Sequence, residues 1–145
     1  ALTLYGEIIM ARTTFSGPVV SQNGFLTEPT AAAINATAAA TAAQVATGYI
    51  TSTSAGATAI TFPTGTLLGA ELGATGGAVF DLVVDNTGGA SVVTMVVGVN
   101  AILSDAGTTT AASFGDLTIA AGVTGMARYT LLFQSATAYT ITRTA

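Results

Sequence analysis

Seven carboxylates and three arginines are all the formal charge this chain can bring to chemistry. The acids are Glu7, Glu28, Glu71, Asp81, Asp85, Asp105 and Asp116, and the cations are Arg12, Arg128 and Arg143. Glycoside hydrolysis by paired carboxylates needs two of them held about 5–10 Å apart. Here the acids are scattered, and no pair recurs at a close spacing. Asp81 is expected to face solvent or to meet an arginine. Asp85 and Asp105 stand beside turn residues, where aspartate bonds its own backbone. A calcium loop gathers several oxygens in one short segment, and Asp85-Asn86-Thr87 is a weak match.

The chain has no histidine, cysteine, lysine or tryptophan. Zinc, haem and iron–sulfur sites lose their usual ligands. No cysteine nucleophile and no Ser–His–Asp arrangement can be built, and no lysine exists for a P-loop or a Schiff base. The expectation is therefore no enzyme, no metal and no cofactor. Nucleic-acid binding draws most of its affinity from Lys and Arg on phosphates. Three arginines against a net charge of −4 make it an unexpected partner. Sugar-binding sites stack sugars on exposed aromatics, whereas the Tyr and Phe residues here fall mostly on alternating core positions.

Composition narrows the class further. Among 145 residues 50% are hydrophobic and 7% are charged, against about 25% charged in an ordinary domain. The mean hydropathy is +0.68, yet no run of 18 or more apolar residues exists to span a bilayer. Ala31 to Val45, the nearest candidate, is interrupted by Asn35 and Gln44. No basic segment followed by a long apolar stretch opens the chain, so no signal peptide is expected. A free monomer with so few charges lacks the repulsion that keeps small domains apart. Much of its surface is expected to be covered by other chains.

The elements that must position these residues divide the chain into three. Residues 1–28 read as an extended arm with short β pieces, since Pro18 fixes φ and Asn23-Gly24 marks a turn. The alternative is a first hairpin pairing Phe15–Val20 with Phe25–Thr27. Residues 29–48 are an Ala/Thr-rich helix or a low-complexity linker. For the helix, Thr27 or Thr30 supplies a cap, Pro29 suits the first turn, Ile34 and Val45 share a face, and Gly48 is the stop. Asn35-Ala36-Thr37 is a glycosylation sequon by pattern, set inside that helix and read as chance. The Gly-rich piece from Gly65 to Gly77 lacks the spacing of a dinucleotide fingerprint and reads as a loop.

From residue 49 to 145 the pattern is β. Thr58, Ile60 and Phe62 alternate onto one face, as do Phe80, Leu82 and Val84. Asp85 to Gly89 looks like a hairpin turn returning into Ser91–Val97. Asp116–Ala120 is a short strand. Tyr129, Leu131 and Phe133 share a face, as do Tyr139, Ile141 and Arg143. Strands separated by Gly, Ser and Asn turns predict a mainly β fold, an antiparallel β-sandwich or barrel body.

Two stretches carry a resemblance. Ala11-Arg12-Thr13-Thr14-Phe15-Ser16-Gly17-Pro18-Val19-Val20-Ser21-Gln22-Asn23-Gly24-Phe25 resembles the opening of small capsid-associated proteins of tailed phages. The succession Phe80 to Thr87, Val92 to Val97, Arg128 to Phe133 and Ala138 to Arg143 is similar to the β-domain of trimeric capsid decoration (cement) proteins. Together they cover about half of the chain. The resemblance implies a virion protein, a homotrimer on the outer capsid surface at or near threefold positions, with arms gripping the major capsid protein. On that expectation Leu4, Tyr5, Ile8, Ile9, Phe15 and Phe25 are apolar capsid contacts, and Arg12 makes a bidentate contact to a capsid carboxylate. The alternative is a head- or tail-fibre adhesin that binds a host glycan.

Overall fold

Short extended segments and two short helices follow one another along the chain from Ala32. The computed structural model describes residues 13–103 and 117–145. The first pieces are β1 (Ala32–Ala33), β2 (Ala38–Ala39), α1 (Ala42–Ala46), β3 (Tyr49–Thr51) and β4 (Thr58–Thr61). Then come α2 (Gly65–Leu72), β5 (Val79–Asp85), β6 (Val93–Val96) and β7 (Ala101–Leu103). The last are β8 (Thr118–Ile119), β9 (Met126–Ser135) and β10 (Ala138–Arg143). They form two sheets, ordered β1-β3-β5-β9-β10-β7 and β2-β4-β6-β8.

The chain changes sheet after every described strand from β1 to β8. In each sheet the early strands therefore stack in parallel as successive rungs: β1 on β3 on β5, and β2 on β4 on β6. The register stacks buried residues in line: Ile50 on Val84 on Ala127 in one sheet, and Thr58 on Val93 on Ile119 in the other. Antiparallel pairing enters late, as β5–β9, β9–β10 and β6–β8. Both sheets are thus mixed, which corrects the expectation of an antiparallel body. The mainly β character stands.

Alternation locates the core as the pattern predicts. Thr58, Ile60 and Phe62, then Leu82 and Val84, then Tyr129, Leu131 and Phe133, then Tyr139 and Ile141 are all buried. The two sheets share one apolar cluster. Phe62, beyond β4, meets Tyr129 of β9 edge-on with centroids 6.0 Å apart, a favoured aromatic geometry. The Tyr139 hydroxyl donates to the Pro63 carbonyl at 2.6 Å, satisfying a polar group that would otherwise be costly to bury.

Three expectations are overturned. The helix over Pro29–Thr47 shrinks to Ala42–Ala46. Thr41 caps it with a reciprocal pair: Gln44 N–H donates to Thr41 Oγ1 at 3.1 Å, and Thr41 N–H donates to Gln44 Oε1 at 2.9 Å. Upstream, Ala32–Ala33 and Ala38–Ala39 pair with Ile50–Thr51 and Ile60–Thr61. Alanine's helix preference is only tenths of a kcal/mol per residue over most others, and strand pairing overrides it. The sequon serves that pairing: Asn35 Oδ1 accepts from Thr53 N–H at 2.8 Å, and Thr37 Oγ1 accepts from Ala59 N–H at 3.1 Å.

The glycine-rich loop is instead α2 over Gly65–Leu72, capped by Thr64 and ended by Gly73 at φ 60°. Its glycines serve close packing, because a Cβ at Gly65 or Gly69 would stand 2.0 Å from the Thr137 carbonyl oxygen or 1.8 Å from that of Ala136. The β9–β10 turn therefore lies directly on one face of the helix. Finally, Asp85 to Gly89 closes no hairpin, since β5 and β6 belong to different sheets. Asn86 is fully buried there, and its Nδ2 reaches the carbonyls of Ser91 (2.9 Å), Ile119 (3.3 Å) and Ala120 (2.9 Å). Its own N–H donates to Gly125 O at 2.6 Å.

Two substitutions test this packing by denaturant midpoint. Alanine for glycine in an exposed helix adds roughly 1 kcal/mol, whereas Gly69→Ala is expected to cost about 2 kcal/mol through overpacking. Asn86→Ala strands the carbonyls of Ser91, Ile119 and Ala120 beside β6 and β8 and is expected to cost about 2 kcal/mol.

Candidate binding surfaces

Two features stand outside the core: the segment leading into β1 and a cleft on the outer face of the larger sheet. Residues 13–31 contain no strand and no helix and are exposed throughout. Pro18 and Pro29 remove backbone donors. Ser21 Oγ donates to Gly24 O at 2.7 Å, and Gly24 takes φ 81°, so this turn is held locally. The first ties to the body are the β1 pairing and Ile34 N–H to Thr51 O at 2.9 Å. The hairpin alternative, Phe15–Val20 paired with Phe25–Thr27, is not formed.

The arm carries its apolar side chains in the open. Phe15 is 68% exposed, Phe25 74% and Leu26 84%. Full burial of such a side chain is worth roughly 1.5–3 kcal/mol, so the arm holds a substantial unrealised burial energy. Of the expected contact residues, Phe15 and Phe25 sit here; Leu4, Tyr5, Ile8, Ile9 and Arg12 lie outside the described residues.

The cleft arises because β3 is short. It starts with Tyr49 opposite Val83, so β5 runs past it towards Val79. Beside that overhang lies Gly48 at φ 79°, following α1. The resulting space is about 610 Å³, with Thr47, Gly48, Phe80 and Asp81 on one side and Thr27 and Pro29 from the base of the arm on another. Tyr49, Val83 and Arg128 form one row across β3, β5 and β9 on the outward face. A smaller space of about 380 Å³ continues beyond Val83 and Arg128 towards Met126 and Ala145.

Hydrogen bonding fixes this face. Asp85 Oδ1 accepts from Thr87 Oγ1 at 2.6 Å and from Thr87 N–H at 2.8 Å, and Oδ2 accepts from the Tyr49 hydroxyl at 3.0 Å. These donors, Thr87 first, hold the Asp85 carboxyl below its usual range. The bond to Asp85, with burial and the nearby negative charge, raises the Tyr49 hydroxyl above its ordinary value. Both Asp85 oxygens are thus engaged, Oδ1 within the turn and Oδ2 by Tyr49 of β3, and among the described residues no group of three potential ligands gathers to hold a metal. Asp81 faces out, as expected, and accepts from Thr130 Oγ1 at 2.7 Å. Arg143 is structural: its Nη1 donates to Thr118 O at 2.8 Å, joining β10 to β8 across the two sheets. Arg128 is exposed, and no side-chain hydrogen bond or ion pair ties it to another described residue.

Comparison with protein-family models, curated proteins and solved structures finds no match to this chain. No helix of the described residues is long and apolar enough to cross a membrane.

Sequence reasoning missed the cleft. Phe80 was placed inward by alternation and does pack against the core, but it is half-buried and also borders the cleft, as does Tyr49, to which no face was assigned. Arg128 stood out only as one of three cations. The signal needed was the register that sets Arg128 beside Val83, and no local pattern encodes it.

The Asp85 contacts set an acid dependence. A depressed folded-state pKa contributes stability that is complete above the ordinary value of 3.8 and is lost as pH falls through the folded value. Between pH 6 and pH 2 the Asp85→Asn variant is expected to lose less stability than the parent, measured by thermal unfolding at each pH.

Proposed function

We propose that this chain is a structural virion protein, a capsid decoration (cement) protein that binds the outer surface of a phage head as a trimer and bridges major capsid subunits. The observation that carries the reading is the arm. Its described part is exposed and rich in apolar side chains, and its main chain joins a sheet at β1. The resemblance of Ala11–Phe25 and of the β segments to decoration proteins narrows the partner from any large surface to a capsid shell.

Attachment needs no bond-making step. Extended chain offers unpaired main-chain groups to an exposed strand edge, and alternate side chains fill pockets beside it. Phe15 and Phe25 act as anchors in the described part, and Leu4, Tyr5, Ile8 and Ile9 extend the apolar series, with Arg12 for a capsid carboxylate. Three arms on one trimer convert modest contacts into firm attachment, because the second and third bind at high effective concentration. The low charge fits a molecule whose surface is largely covered in its assembly. Two further functions have little support: three arginines against a net charge of −4 are far from the basic surface nucleic acid requires, and among the described residues Asp81 and Asp85 are engaged with Thr130, Thr87 and Tyr49.

Binding to empty shells lacking the protein tests this by co-sedimentation. The full chain is expected to bind, and a form without residues 1–26 is expected to keep its β-rich circular dichroism and lose binding. Phe15→Ser with Phe25→Ser is expected to weaken binding tenfold or more, the equivalent of about 1.4 kcal/mol. Unchanged binding by the truncated form overturns the arm's role.

A further inference from the structure

We infer that the cleft at the start of β3 is a binding site for an acidic saccharide, with Arg128 taking the carboxylate, Asp81 accepting from ring hydroxyls, and Tyr49 and Phe80 giving the apolar wall. The size fits, since small-molecule sites run about 300–1,000 Å³ and this one is about 610 Å³. Its chemistry is mixed within one mouth. Arg128 brings a planar fork of donors suited to a carboxylate, and it is free of other partners among the described residues. Asp81 lies on the same outward face one step along the ladder, paired with Thr130 as Val83 is with Arg128, so the two groups are diagonal neighbours roughly 7–8 Å apart. One Asp81 oxygen takes the Thr130 hydroxyl, which orients the carboxylate.

The aromatic wall is preset. The Tyr49 hydroxyl is committed to Asp85 Oδ2, so the ring is held in place and offers its surface instead of a polar group. Gly48, at φ 79°, lies beside the Phe80 ring at the floor of the cleft. A purely apolar ligand would leave Arg128 and Asp81 unmatched, at the cost of desolvating them. A polyphosphate would find one cation and a neighbouring carboxylate. A ring with an apolar face, hydroxyls and one carboxylate matches every group. The second space beyond Val83 and Arg128 continues the trough, so a saccharide of several acidic units fits better than a single one.

This reading is independent of shell attachment, and its test uses the full chain free of capsid. Galacturonic acid tetrasaccharide and neutral galactose tetrasaccharide are titrated separately by calorimetry or by amide chemical shifts. The acidic tetrasaccharide is expected to bind at least tenfold more tightly than the neutral one and more tightly than galacturonic acid itself. Arg128→Ala is expected to reduce its affinity tenfold or more, Arg128→Lys less, and Asp81→Asn severalfold, while Gln134→Ala, exposed elsewhere on β9, leaves it unchanged. Circular dichroism shows that each variant is folded. Equal binding of both tetrasaccharides, an Arg128→Ala variant that binds as the parent does, or no saturation by either sugar overturns the proposal. So does a loss of self-association in Arg128→Ala with no saccharide bound, since the cleft is then a contact between copies of the chain.

Discussion

The fold depends on one constraint: a chain that changes sheet after almost every strand must bury both sheets' inner faces in the same place. The strands are too short to be stable as separate hairpins. What holds them is the shared cluster in which Ile50, Leu82, Val84 and Tyr129 of one sheet meet Ile60, Phe62, Val93 and Met95 of the other. At each crossing the backbone leaves a ladder and needs another partner. Asn86 supplies it at the β5–β6 crossing by reaching carbonyls around β6 and β8. A Cβ at Gly89 would stand 2.1 Å from Asn86 Oδ1, so the glycine is the partner that lets the amide sit there.

Both binding surfaces follow from the same crossing path. Among the described residues β1 and β2 each stand at the end of a sheet. The segment leading into β1 enters at that edge, and its residues 13–31 are exposed. Rungs also lengthen along the chain, from two residues in β1 to three in β3 and seven in β5. The step between β3 and β5 leaves part of β5 uncovered on one side, and the cleft occupies the step. A sheet of equal strands would have closed it.

The few charged groups are divided between these tasks. Arg143 and Asp85 are spent on structure, one linking β10 to β8 and the other fixing a turn and the Tyr49 ring. Asp81 and Arg128 are left facing outward from the row and its neighbour. In a chain this poor in charge, an arginine beside an aromatic row and without a structural partner is available for a ligand. The proposed attachment through the arm and the proposed recognition through the cleft would use separate surfaces, joined where Thr27 and Pro29 line the cleft.

Period-two alternation by itself determined the body strands, their buried faces and the mainly β class, because inward and outward positions differ in hydrophobicity. The missing histidine, cysteine and lysine likewise removed whole reaction classes without reference to any contact. Sheet membership had no such local mark: Asp85 to Gly89 has the residues of a hairpin turn, and only the distant carbonyls reached by Asn86 send β6 to the other sheet. The Ala/Thr segment was ambiguous because alanine's preference for helix is smaller than the gain from pairing with Ile50 and Ile60, partners that lie a rung away. Gly65 and Gly69 signalled a loop until the turn at Ala136–Thr137 explained their lack of side chains. The cleft, too, is a product of register: Tyr49, Val83 and Arg128 come from three separate strands, and only the tertiary fold places them in one row.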